Sequence, residues 1–132
     1  MTVPEAWANW PLLKDFPWSY FITATFPNKT SQEQAAKTWR VFASKLARKR
    51  LSARQAREKG IPWVRAVEQH QNGGAHIHAL ISDATPDDIK ALWKSLVSKD
   101  AIIDVSRFDK DRDAIAYLAK EGDIEIGAYF NT

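Results

Sequence analysis

The chain is 132 residues long and 15.0 kDa, the size of one ordinary domain, and 45% of it is hydrophobic, enough for a buried core. It contains no cysteine, which excludes disulfides, thiolate metal sites and cysteine nucleophiles. No apolar run reaches the roughly 18 residues of a membrane helix, and the N-terminus lacks a basic, apolar secretory signal, so the expectation is a soluble protein that makes no contact with membranes. The net charge of +3 conceals a strong polarity: nine of the 19 basic residues fall between Lys37 and Lys59, against the single acid Glu58. Such a stripe suits a polyanion such as nucleic acid through phosphate neutralisation, although a merely solvated helix face would look the same.

In chain order, the first 17 residues carry Pro4, Pro11 and Pro17 with Trp7 and Trp10, and read as an N-terminal arm packed by its aromatics with at most a helical turn. Trp18 to Phe26 reads as a strand. Thr30 or Ser31 caps a helix expected to run to about Lys59, with Ala35, Trp39, Phe42 and Leu46 as its buried stripe. Trp63 to His70 and Ala75 to Ser82 form a hairpin about Asn72, Gly73 and Gly74. Thr85 opens a second helix with Ile89, Leu92, Trp93 and Leu96 inward, and Ala101 to Phe108 is a fourth strand. Lys110 to Glu121 is a third helix stopped by Gly122, and Ile124 to Phe130 a fifth strand. The order βαββαβ is that of the ferredoxin-like unit, an α+β fold with an antiparallel sheet, both crossover helices on one face and the other face open. The expectation is one domain over residues 1–132, with an added C-terminal helix and strand.

Chemistry concentrates on the third strand and the third helix. His76 and His78 alternate with Ile77, so both imidazoles leave one face of the strand about 7 Å apart. A three-residue loop at Asn72, Gly73 and Gly74 places Glu68 opposite His78 and His70 opposite His76, on that same face; a two-residue loop would reverse the strand and turn Glu68 away. Two imidazoles and a carboxylate suit Mn²⁺ or Mg²⁺ acting on a phosphate, and also catalytic zinc. On the helix, Ile115 and Leu118 define the buried side, flanked by Ala114 and Ala119, while Tyr117 and Lys120 point away. A tyrosine there can be a nucleophile beside a cation, with a neighbouring ammonium to stabilise charge, or an ordinary half-exposed aromatic.

The stretch Glu68-Gln-His-Gln-Asn-Gly-Gly-Ala-His76-Ile-His78-Ala-Leu-Ile resembles the second motif of the HUH endonuclease domain of rolling-circle replication initiator (Rep) proteins of small single-stranded DNA viruses and plasmids. Tyr117-Leu-Ala-Lys120-Glu-Gly-Asp-Ile-Glu-Ile-Gly resembles the third motif, and Phe21-Ile-Thr-Ala-Thr-Phe26 the less specific first. Motif order and spacing agree over residues 21 to 127. The resemblance implies that Glu68, His76 and His78 bind the divalent ion, with His70 a further candidate ligand or a support for the others. It implies that Tyr117 becomes joined to the 5′ phosphate of nicked single-stranded or hairpin origin DNA, releasing a 3′ hydroxyl, with Lys120 as its companion. Thr23 and Thr25 of the first motif, Arg65, and Arg48, Lys49 and Arg50 of the basic helix are the expected DNA contacts. The expected location is the cytoplasm, or the host nucleus for a eukaryotic virus. No Gly-rich Lys-Ser/Thr loop for a triphosphate is present, so the expectation is either a nuclease domain cut from a longer initiator or a minimal initiator that borrows a separate helicase.

Three other readings compete with an origin-nicking strand transferase. A small HUH transposase would use the same chemistry, but the short His-to-Tyr interval and the Glu-Gly-Asp-Ile tail favour an initiator. A non-catalytic ferredoxin-like binder of RNA or single-stranded DNA would carry paired aromatics on its central strands, where this chain has histidines and threonines. A phosphodiesterase using water would need no Tyr117.

Overall fold

The computed structural model describes residues 10–109, 114–120 and 123–130. Helix α1 (Trp10–Asp15) precedes β1 (Tyr20–Thr25), α2 (Gln32–Arg50), α3 (Ala53–Glu58), β2 (Trp63–Gln69) and β3 (Ala75–Ile81). Then follow α4 (Pro86–Leu96), β4 (Ile103–Arg107), α5 (Ala114–Lys120), β5 (Ile124–Ile126) and a 3₁₀ turn at Ala128–Phe130. The fold is mixed α and β, built on a five-stranded sheet in the order β4-β1-β3-β2-β5 in which every neighbouring pair is antiparallel. No described helix is long and apolar enough to cross a membrane.

Strand alternation sorts the side chains into two layers. Ile22 and Ala24 of β1, Val67 of β2, and Ile77, Ala79 and Ile81 of β3 face α2 and α4, and join Trp39, Phe42, Leu46, Ile89 and Trp93 in the main core. The helices begin where the sequence says they should: the Ser31 side chain accepts from the Gln34 N–H, and the Thr85 side chain from the Asp88 N–H with Pro86 at the first position.

The structure departs from expectation at four places. The long basic helix does not reach Lys59: it ends at Leu51, and Ser52 caps α3 in a reciprocal capping box with Gln55. The local pattern Ser-x-x-Gln outcompetes continuation because it satisfies the backbone donors that a new helix start exposes. The fifth strand stops at Ile126, and the chain tightens into the 3₁₀ turn. At Gly127 a side chain would lie 2.7 Å from the Trp63 indole nitrogen, so only glycine lets the strand pass that ring. The second face of the sheet is not wholly open either: Val64, Ala66 and Leu80 pack there under Leu13, Trp18, Leu118 and Phe130. The arm is thus a short helix whose Leu13 carbonyl accepts from the Trp18 indole at 2.9 Å. Pro4, Trp7, the expected helix ends at Lys110–Asp113 and Glu121–Gly122, and the side chains of Ile115 and Ala119 lie outside the described residues.

The fourth departure is Arg65. Expected among the DNA contacts, it is on the helix-covered face and only 2% exposed. Its guanidinium donates to the Asp123 carbonyl at 2.8 Å and to Glu125 Oε1 at 3.1 Å, while Arg40 grips the same carboxylate from α2 at 2.8 to 3.0 Å. Arg65 has odd parity in β2, the opposite of Glu68, and so cannot meet a strand lying on the Glu68 face. Burial alone would raise the Glu125 pKa, but the Arg40 hydrogen bond and the charges of Arg65 and Arg40 outweigh it and hold the carboxyl below its ordinary range. Stability from a depressed carboxyl is complete above its unfolded value, about 4.3, and is lost as pH falls through the lower folded value. Glu125→Gln should therefore destabilise the protein by about 2 kcal/mol at pH 7, with the gap from wild type closing as urea denaturation is repeated below about pH 4. A gap independent of pH would remove the ion cluster as its cause.

Candidate active site

The site begins with the turn between β2 and β3. His70 N–H donates to the Gly74 carbonyl at 2.9 Å and Gly73 N–H to the His70 carbonyl at 3.1 Å, closing a three-residue loop of Gln71, Asn72 and Gly73. Gly73 takes the positive φ of 89° that such a loop needs at its third position, and Asn72 Oδ1 accepts from the Gly74 N–H. The loop has the expected length but sits one residue earlier than expected. Glu68 consequently lies opposite His76 and Ala66 opposite His78, a shift of two from the expected pairing. A shift of two preserves side-chain parity, so all three groups still leave the same face.

The donor atoms of Glu68, His76 and His78 lie within 4.8 Å of one another. Glu68 reaches diagonally to His78, with its Oε2 3.3 Å from His78 Nε2. The other nitrogen of His78, Nδ1, lies 3.4 Å from the Thr23 hydroxyl, on the residue directly opposite it in β1. Thr23 thereby orients the ring from behind, as outer-shell partners of ligating imidazoles do. Burial and the neighbouring His70 lower the His76 pKa, with Glu68 opposing and His78 adding to the effect. A neutral imidazole is the form that can donate a lone pair to a cation. Two nitrogens and one oxygen, half-buried and close-set, fit a divalent ion with open positions.

His70 is not part of this triad. Its ring stands edge-on against His76 with centroids 4.3 Å apart, and its Nε2 is buried without a hydrogen-bond partner among the described residues. It therefore buttresses His76. Tyr117, on α5, is brought to the site: its ring is 5.3 Å from that of His78 and 6.5 Å from that of Phe21. It is 43% exposed, and the next residue, Leu118, is 1% exposed, which matches the expected division of the helix. Lys120 is exposed one turn on.

Other candidates are placed elsewhere. The Thr25 hydroxyl is engaged by the backbone of Ile102, donating to its carbonyl at 2.9 Å and accepting from its N–H at 3.2 Å. Arg48, Lys49 and Arg50 are exposed at the C-terminal end of α2, on the opposite face of the sheet. The start of α2 adjoins the hairpin loop through the Thr30–Gly73 hydrogen bond, and its 19 residues carry the basic end about 28 Å away.

An exposed tyrosine beside a His-His-Glu cluster on a half-open antiparallel sheet defines the class: a metal-dependent enzyme acting on phosphodiesters. The family model for the replication-associated protein ORF2 matches residues 19–123, and the chain belongs to this family of Rep proteins with HUH-type catalytic sites. No match is found among curated proteins or among solved structures.

Titration calorimetry with Mn²⁺ should show His78→Ala and Glu68→Ala losing most affinity, and Thr23→Val losing about tenfold through the disordered imidazole. His70→Ala should cost less than Glu68→Ala; the reverse order would make His70 the third ligand.

Proposed function

We propose that the protein nicks and rejoins single-stranded origin DNA, with Tyr117 as nucleophile and Glu68, His76 and His78 holding Mn²⁺ or Mg²⁺. The observation that carries this reading is the approach of the Tyr117 ring to His78, which sets a phenol beside the triad in a cleft open to solvent. The strand order β4-β1-β3-β2, with α2 and α4 on one face, supports a ferredoxin-like core under the added α5 and β5.

When bound, the divalent ion supplies positive charge that polarises the scissile phosphate. Tyr117 Oη attacks phosphorus, a phosphorus–oxygen bond forms to the tyrosine, and the bond to the 3′ oxygen breaks. The phenolic proton is lost to solvent and the departing oxygen is protonated to a 3′ hydroxyl, so one phosphodiester replaces another and no water is consumed. A phenol of pKa near 10 is a poor nucleophile at neutral pH, and Lys120, one turn away, offers an ammonium to the developing phenolate. Because the phosphotyrosine conserves the bond, a 3′ hydroxyl can reverse the reaction and seal a strand, as an initiator requires.

Tyr117→Phe should retain metal and single-strand binding yet lose both cleavage and joining, and mass spectrometry of the trapped wild-type complex should find the 5′ phosphate on Tyr117. Lys120→Ala should slow adduct formation without abolishing it. Full cleavage by Tyr117→Phe would make water the nucleophile and the protein a phosphodiesterase.

The basic end of α2 supports a contribution to affinity without a part in the chemistry. Replacing Arg48, Lys49 and Arg50 together with alanine should weaken binding alike for all sequences and lower the salt slope by up to about three, leaving the cleaved bond the same. An unchanged slope in a salt titration would reduce the stripe to a solvated face.

A further inference from the structure

The cleft bordered by His78 and Tyr117 continues past the triad to a volume of about 1300 Å³. This exceeds the roughly 300–1,000 Å³ of pockets that hold one small molecule. Phe21 contributes to the cleft from β1, Arg107 and Phe108 from the end of β4, and Lys14 and Phe16 from α1 and the residues after it. Lys14 and Phe16 precede residue 19, where the family match begins.

We propose that this wall turns the cleft into a channel for unpaired nucleotides flanking the scissile phosphate, and that the segment Lys14–Pro17 helps select which strand reaches Tyr117. The proposal rests on the nicking function above and adds the residues that would hold and read the substrate. Aromatic rings interleaved with cations are what a single strand requires: bases stack on the rings, and phosphates run past the positive charges. Phe16, Phe21 and Phe108 supply the rings, and Lys14 and Arg107 the charges. Among the described residues neither cation forms an ion pair, so both charges face the cleft without a fixed counter-charge. Asp15 also lines the cleft, and a carboxylate there suits an acceptor for an exocyclic amino group better than a surface for phosphate alone.

The wall is anchored. Leu13 is 1% exposed, and the Trp18 indole holds its carbonyl. The Phe16 ring sits 4.7 Å from Trp18 and 5.2 Å from Phe130, so one edge of it is fixed in the second core while the residue borders the cleft. On the other side Phe108 N–H donates to the Ser19 carbonyl at 3.0 Å, tying the end of β4 to the residue that leads from the arm into β1. Both walls thus meet at one strand end, and a strand laid between them runs toward His78 and Tyr117.

The test measures binding without turnover, in the full chain carrying Tyr117→Phe. Labelled single strands are titrated by fluorescence anisotropy, and strands retained from a randomised pool are sequenced. Phe108→Ala should raise Kd about tenfold, the loss of one stacked base. Lys14→Ala with Arg107→Ala should raise Kd and lower the salt slope by up to about two. Phe16→Leu, which keeps an apolar group in the second core, should flatten the base preference at one or more positions of the retained strands. Lys14 and Arg107 are exposed, so their variants should melt like the parent. Unchanged Kd, slope and retained sequences across these variants would overturn the channel. Failure of wild type to form an adduct, with binding still sensitive to the same variants, would instead overturn the nicking function and leave the channel standing.

Discussion

The geometry of the site depends on the parity of one hairpin. In a pair of antiparallel strands a side chain has only two directions, and the number of residues in the turn decides which partners share one. With Gln71, Asn72 and Gly73 in the loop, Glu68, His76 and His78 share a face; one residue more or fewer would put the carboxylate on the face buried under α2. The positive φ of Gly73 therefore determines where a carboxylate several residues back along the chain is aimed, since a strand transmits parity along its length without attenuation. The loop is in turn held to the segment before α2, through the Thr30 N–H on Gly73 and the Gln69 side chain on the carbonyls of Thr30 and Gly74.

The same alternation separates structural from chemical duties. The face under α2 and α4 is apolar except at Arg65, whose charge is balanced by Glu125 and Asp123. The opposite face is apolar only where Leu13, Trp18, Leu118 and Phe130 cover it, and polar where Thr23, Glu68, His76 and His78 stand. A sheet with both faces fully covered could not admit a nucleic acid strand, and one with a wholly bare face would leave Val64, Ala66 and Leu80 in water. The short helices on the second face resolve this conflict by covering one region of the sheet and leaving the other open. The cationic end of α2 is on the far side, so attraction of a polyanion and cleavage of it are assigned to different surfaces.

Much of this was legible because period two and period 3.6 are strong signals. His76 and His78, the buried stripe of α2 from Ala35 to Leu46, and the outward placement of Tyr117 beside inward Leu118 all follow from spacing alone. The loop position was not legible, because Asn72-Gly73-Gly74 and Gln71-Asn72-Gly73 both offer a glycine, and only the tertiary bond from Thr30 to Gly73 favours the latter. Arg65 was misread because a basic residue on a strand is usually solvated; its partners Asp123 and Glu125 lie 58 and 60 residues away, beyond any local pattern. The break at Ser52 was written in the sequence as a capping box, but was hidden inside a run of charges that looks uniformly helical. Phe16 and Lys14 carried no motif at all, and only the folding of the arm onto β1 shows that they border the cleft.

Tyr117 unites these constraints. A nucleophile must be exposed to meet a phosphate, yet held closely enough to be aligned with it, and a single aromatic on a surface helix satisfies only the first condition. Here Leu118, one residue on, is buried in the cluster of Val64, Ala66 and Leu80, so the same turn of α5 that exposes the phenol is anchored by the second core. The aromatic ring is bordered on its inner side by Phe21 from β1 and His78 from β3. Phe21 and His78 come from adjacent antiparallel strands, and Thr23, two residues beyond Phe21, stands directly opposite His78. The register that aims His78 at Glu68 thus also sets the surface against which the tyrosine rests. Metal ligands and nucleophile are consequently not two sites brought together by a flexible linker; both are referred to the same pair of strands, and a change in the β1–β3 register would displace them together.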